Sequence, residues 1–143
     1  MSRLPYLVCA ALLACAPAPA PGSQPASAPA AQAGPPRAIS PTEASQLVAS
    51  NQAILVDVRE AGELKAGMAQ PARWLATSKI NADGKEWQDF VAGLPKDKEI
   101  VFYCAVGGRS AKAAQKVNAL GFRTANMGGY DDWVRAGLPT RTP

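Results

Sequence analysis

Between Ala53 and Val58 the chain reads AILVDV, apolar at every position but one. A run with that many β-branched members and no alternation predicts a strand covered on both faces, as in a parallel sheet. EIVFYC, from Glu99 to Cys104, predicts a second such strand. ARWLA (Ala72 to Ala76) is a weaker strand and RTANM (Arg123 to Met127) a short one. Helical spacing appears between them. From Lys85 to Leu94, the residues Trp87, Phe90, Val91 and Leu94 share one face, and Gly93 and Pro95 stop the helix. From Ser110 to Leu120, Ala113, Val117 and Leu120 form an apolar stripe opposite Lys112, Gln115 and Lys116, with Gly121 as the C-terminal cap. The motif SPTE opens an earlier helix running to about Ser50, with Ser40 as N-cap, Pro41 in the first position and Glu43 completing a capping box. YDDWVRAG (Tyr130 to Gly137) closes the chain with a helix whose first turn carries Asp131 and Asp132. Strands alternating with helices predict an open α/β sheet, mostly parallel, with helices on both faces. Such sheets bind ligands at the carboxyl ends of their strands.

The pattern stops before Ile39. Residues 15–38, rich in Pro, Ala, Ser and Gly with almost no large apolar side chain, read as a disordered, semi-rigid linker. Residues 1–14 place Arg3 before an apolar run from Leu4 to Ala14, the layout of an export signal. Two cuts fit it. Ala14-Cys15-Ala16 suits a small-x-small cleavage site, while Leu12-Leu13-Ala14-Cys15 resembles the bacterial lipoprotein signal, in which Cys15 is acylated and becomes the N-terminus. The second cut is favoured. It implies a domain spanning residues 39–143, exported to the bacterial cell envelope and held at a periplasmic membrane surface.

This division gives the cysteine count its meaning. Cys9 leaves with the signal and Cys15 leaves or is capped by lipid, so Cys104 remains alone in the folded part and no disulfide framework forms. An unpaired thiol in an oxidising compartment suggests chemistry rather than packing. The chain contains no histidine, which excludes Cys-His nucleophiles, Ser-His-Asp triads and histidine-bearing metal sites. No metal-ligand spacing is present. Lys and Arg number 15 against 11 Asp and Glu; they are interspersed, and no basic run or aromatic patch points to nucleic acid.

Cys104 therefore carries the chemical argument. Its strand delivers it to the carboxyl edge of the sheet, and the helix near Ser110 turns its N-terminus back toward the sulfur. Unsatisfied N–H groups and the helix dipole there favour a thiolate without help from a base. Gly107 and Gly108 allow the loop to curl into an anion-binding nest, and Arg109 adds a planar cationic fork at its edge. Arg109 has a competing reading as the ion-pair partner of a nearby carboxylate. Asp57, Arg59 and Glu60 read as a hydrogen-bonded brace for the loop after their strand rather than as acid and base. Trp74, Trp87 and Trp133 read as packing.

YCAVGGRSAKAAQ, LVDVRE and GFRTANMGGYDDWVRAGLP, taken in order, resemble the active-site loop, second-strand segment and closing segment of single-domain rhodaneses, a family of sulfurtransferases. The resemblance covers Ile39 to Pro139 and implies a five-stranded, mostly parallel sheet. It also implies a reaction in which Cys104 takes the outer sulfur of a sulfane donor, thiosulfate or a small-thiol persulfide, and passes it to a thiol or cyanide. The persulfide sulfur would sit among the backbone of Ala105, Val106, Gly107, Gly108, Arg109 and Ser110, and neither metal nor organic cofactor is required, since the persulfide is the carried group. A dedicated protein acceptor also fits. Two departures stand out: Ala105 and Val106 make the pocket mouth more apolar than is usual, and Met68 stands where relatives carry histidine. Two rival functions are a non-enzymatic sulfur carrier or partner-binding module, and a cysteine phosphatase or arsenate reductase. The latter enzymes place one more residue between cysteine and arginine, and the tighter loop here suits a sulfur atom. A serine at position 104 is expected to abolish transfer with little loss of stability, because the loop is taken to be exposed.

Overall fold

The computed structural model describes residues 34–143. The expected export signal, Cys9, Cys15 and most of the expected linker lie outside the described residues. In chain order the elements are β1 (Arg37–Ala38), α1 (Pro41–Ala49), β2 (Ala53–Asp57), a 3-10 turn (Ala61–Ala66), β3 (Met68–Ala69), β4 (Arg73–Trp74) and α2 (Thr77–Ala82). They continue with α3 (Lys85–Ala92), β5 (Glu99–Cys104), α4 (Gly108–Asn118), β6 (Thr124–Gly129), α5 (Tyr130–Arg135) and β7 (Thr140–Arg141).

The strand order is β1-β6-β5-β2-β4, and every pairing in this five-stranded sheet is parallel. The longest apolar runs thus occupy the middle, where both faces are covered. Side chains alternate along β5. Val101 and Tyr103 join Leu55, Ala125 and Met127 beneath α1 and α5, where Ala44, Tyr130 and Trp133 complete one layer of core. Ile100, Phe102 and Cys104 face the opposite layer with Val56, Val58, Trp87, Ala113, Ala114 and Val117. Helices therefore cover both faces, and the catalytic-candidate thiol belongs to the layer beneath α3 and α4. The short antiparallel pair β3–β7 and a hydrogen bond from Trp133 Nε1 to the Pro139 carbonyl (2.9 Å) fasten the C-terminal tail.

Four expectations are corrected. Arg37 and Ala38, assigned by composition to the linker, form the edge strand β1 beside Ala125 and Asn126. Arg37 is anchored by Glu43 and Glu99, so the strand is held by ion pairs and backbone bonds that leave no apolar signature. The capping box at Ser40 is half formed: Ser40 Oγ accepts the Glu43 N–H at 3.1 Å, but the Glu43 carboxylate has turned to Arg37. The main helix α4 begins at Gly108, two residues before the expected start at Ser110, and Leu120 lies beyond its end, half exposed instead of buried. The 3-10 turn, α2, β3 and β7 carry too few apolar positions to register as periodic elements.

Candidate active site

Cys104 is the last residue of β5 and is fully buried. It is the single cysteine among the described residues. The exposed-loop expectation is therefore wrong for the sulfur, while the residues just after it do reach solvent: Ala105 is half-buried and Val106, at the tip, is 89% exposed. The chain then reverses at Gly107, whose φ of +99° only glycine adopts without strain, and enters α4 at once. This tight return brings the Gly107 N–H to 3.1 Å from Cys104 Sγ and the Ser110 hydroxyl to 3.5 Å. Burial opposes ionisation of the thiol. It is outweighed by the Ser110 hydroxyl and the N–H groups of Ser110, Val106 and Gly107, which together leave the thiol below its ordinary pKa. Amides are thus not the whole of the cradle; a hydroxyl shares the task.

Ser110 has one proton and three acceptors within reach: Cys104 Sγ, the Gly107 carbonyl at 2.9 Å and Asn126 Oδ1 at 2.7 Å. A charged sulfur competes best for that proton, because charge-assisted bonds are the stronger ones. Asn126 braces the same turn from β6. Its Nδ2 donates to the Gly107 carbonyl at 3.1 Å and its Oδ1 accepts the Gly128 N–H at 3.0 Å.

Arg109 sits close enough for its charge to act on Cys104, yet both of its arms are given to a carboxylate. Its Nη1 and Nη2 bind the two oxygens of Glu63 at 2.7 and 2.6 Å, so the carboxylate-pairing reading holds. Gly108 needs no special backbone conformation and a side chain there would meet open space, so only the first of the two glycines is required by geometry. Asp57, Arg59 and Glu60 act as the expected brace. Asp57 and Arg59 form a buried ion pair (2.6 Å), Arg59 Nη2 also donates to the Gly67 carbonyl at 2.8 Å, and the Glu60 carboxylate accepts the Ser78 N–H and hydroxyl, both at 2.9 Å. Trp74 is half exposed, with its indole N–H donating to the Arg59 carbonyl at 2.8 Å, whereas Trp87 and Trp133 are core. Met68 is buried between the strand pair and the core and has no contact with the sulfur site.

Three participants escaped the sequence reading: Glu63, Asn126 and Gly129. A polar Asn126 inside a buried strand was a visible signal; nothing local marked Glu63. Gly129 matters because β6 carries a register shift, in which Phe102 pairs with Asn126 but Tyr103 with Gly128. The bulge presses Gly129 against the cysteine loop, and a Cβ there would lie 2.6 Å from the Ala105 carbonyl oxygen. Gly129→Ala is therefore expected to lose about 1–3 kcal/mol of stability by overpacking. Displacement of Ala105 drags the cradle with it, and alkylation of Cys104 by iodoacetamide should slow by about tenfold or more. Melting and alkylation at wild-type values would show that the contact relaxes freely.

A cleft of about 650 Å³ lined by Arg37, Gln52, Glu99 and Arg123 lies at the opposite, amino-terminal ends of the strands and takes no part in this arrangement. Among the described residues there is no cluster of Cys, Asp or Glu fit to hold a metal, and no helix long and apolar enough to cross a membrane.

A buried thiol at the carboxyl edge of a parallel sheet, facing a helix start and a hydroxyl with no imidazole, defines a class of α/β domains with a cysteine set at the head of a helix. Within that class, the chain belongs to the family of the rhodanese-like domain, whose model matches residues 40–136. A sulfurtransferase of Allochromatium vinosum is 33% identical over 100 residues, covering 68% of this chain and 87% of the relative. A human thiosulfate:glutathione sulfurtransferase is 32% identical over 105 residues, covering 67% and 91%. The crystal structure of a rhodanese-related protein from Thermoplasma volcanium superposes with a TM-score of 0.62 at 26% identity, covering 75% of this chain and 99% of that one.

Proposed function

We propose that this domain is a rhodanese-type sulfurtransferase that carries sulfane sulfur as a persulfide on Cys104. The observation that carries the reading is the cradle itself, a buried sulfur accepting the Gly107 N–H at 3.1 Å with the Ser110 hydroxyl alongside. The relatives' names support the same activity class. In the reaction, the Cys104 thiolate attacks the outer sulfur of the donor, a new S–S bond forms, and the old bond's electron pair leaves with the donor remnant: sulfite from thiosulfate, a thiolate from a small-thiol persulfide. The terminal sulfur then passes to a thiol or cyanide, and Cys104 is released as thiolate. The N–H groups that favoured the first anion serve the second as it departs. We further place the protein in the bacterial cell envelope, tethered through an acylated Cys15; detergent partitioning and the mass of the mature N-terminus test that placement.

Incubation of the purified chain with thiosulfate or a small-thiol persulfide, followed by intact mass, tests the chemistry. One added sulfur, lost again on exposure to cyanide or a thiol, is the expected result. The loading rate should rise with pH as thiolate forms and level off early. Because the thiol is held below its ordinary pKa, the midpoint falls below that of an unperturbed cysteine. A chain inert to both donors would leave the domain a binding module, and release of sulfur only to one protein would make it a dedicated carrier.

A further inference from the structure

The two arginines nearest the sulfur each have a carboxylate partner. Arg59 is matched by Asp57 in the buried pair behind the loop, and Arg109 has both arms on Glu63 at the rim. Arg109 and Glu63 remain about one-third exposed, at 33% and 35%, so an approaching donor meets them directly. Arg109 also holds the Glu63 carboxyl down to about 2, so the pair stays ionised at any pH where the thiolate acts. The two pairs sum to zero, and the ionised Cys104 is left as the net charge of the site. Val106, the exposed residue at the loop tip, offers no side-chain donor to a second anionic centre.

We propose that Glu63 sets the charge of the donor this site accepts: by occupying both arms of Arg109 it cancels the cation at the rim, steering the enzyme away from dianionic thiosulfate toward sulfane donors bearing a single negative charge. The proposal rests on the sulfurtransferase reading and names its substrate class. The physical reason lies in the step itself. When Cys104–S⁻ attacks the outer sulfur of thiosulfate, the Cys104–S bond forms, the S–SO₃ bond breaks and its electron pair leaves on sulfite, so three negative charges must gather before any of them departs. A persulfide or thiosulfonate anion brings one charge to the thiolate instead of two. Glu63 acts through Arg109 and is a positioning residue in this sense.

Glu63→Gln separates charge from shape, because the amide oxygen can still accept the Glu60 N–H that Glu63 Oε2 now takes at 2.8 Å. The test is the second-order rate of sulfur loading on Cys104, read by intact mass, with thiosulfate as dianion and methanethiosulfonate as monoanion. A freed guanidinium at the rim favours each unit of donor charge by about fivefold in water-like surroundings. Glu63→Gln should therefore speed methanethiosulfonate about fivefold and thiosulfate about twenty-fivefold, a gain that fades as salt is added. Arg109→Ala should move the ratio of the two rates the other way, and the double variant should return it to the wild-type value. An unchanged or reversed ratio in Glu63→Gln overturns the proposal, as does a double variant that behaves like Arg109→Ala alone. Those results leave the sulfurtransferase reading standing, whereas a wild-type chain that loads sulfur from neither donor removes both.

Discussion

Cys104→Ser abolishes sulfur loading, by on the order of a thousandfold or more, as expected when a nucleophile is removed from a working cradle. A serine hydroxyl is far too weak an acid for the same donors to ionise. The fold should survive with a change within about 1 kcal/mol, and the reason is not solvent exposure. The sulfur is fully buried against Phe102 and Ala113, yet the Gly107 N–H and the Ser110 hydroxyl already point at it. An oxygen placed there keeps the Gly107 N–H as donor and can give its own proton to the Ser110 oxygen, which offsets the cost of burying it. Intact mass after donor treatment, paired with a melting curve, checks both halves. Sulfur loading by the serine variant would move the nucleophile elsewhere; a collapse in melting temperature would mean that the thiol is a packing element first.

The largest stability effect is expected one strand away. Asp57→Ala leaves the Arg59 guanidinium buried without its counter-ion, a change that typically costs about 3–5 kcal/mol. Asp57 is wholly buried and accepts from Arg59 three times through the side chain, at 3.1, 3.1 and 2.6 Å, and once through the Arg59 N–H at 2.9 Å. The face of Tyr130, 4.1 Å from the guanidinium carbon, does not replace a carboxylate. Small domains have about 5–15 kcal/mol in total, so the variant should melt roughly 15–30 °C lower. Removing both charges in Asp57→Ala/Arg59→Met should recover part of the loss, since neither partner is then stranded. Calorimetry of the single and double variants decides it. A single variant within a few degrees of wild type would mean that water reaches Arg59 easily.

These outcomes divide along a line between near and far neighbours in the chain. The apolar runs at Ala53–Val58 and Glu99–Cys104 announced two central strands, because a strand covered on both faces needs apolar residues at successive positions. The tripartite resemblance likewise located Cys104 and the loop to Ser110 within a rhodanese-like sheet. Local pattern had no means to see β1. Its two residues, Arg37 and Ala38, are held by Asn126 and Glu99 from across the sheet, and only the folded chain brings those partners near. The start of α4 at Gly108 was misread for a related cause. Two glycines look like loop until strand β6, bulged at Met127, packs against the turn and brings Gly128 Cα within 3.3 Å of where a Cβ at Gly107 would stand.

By itself, then, the sequence determined which segment is apolar enough to sit mid-sheet, that Cys104 has no histidine in this chain to serve it as a base, and that its loop leads straight into a helix. Tertiary structure alone decided the electrical state of the site. Arg109 meets Glu63 across 46 positions of chain, Ser110 meets Asn126 across 16, and Gly129 closes on Ala105. Propensity and periodicity act over a few residues, while charge and steric contact depend on distance in space, so the partners that tune the sulfur appear only once the sheet has assembled.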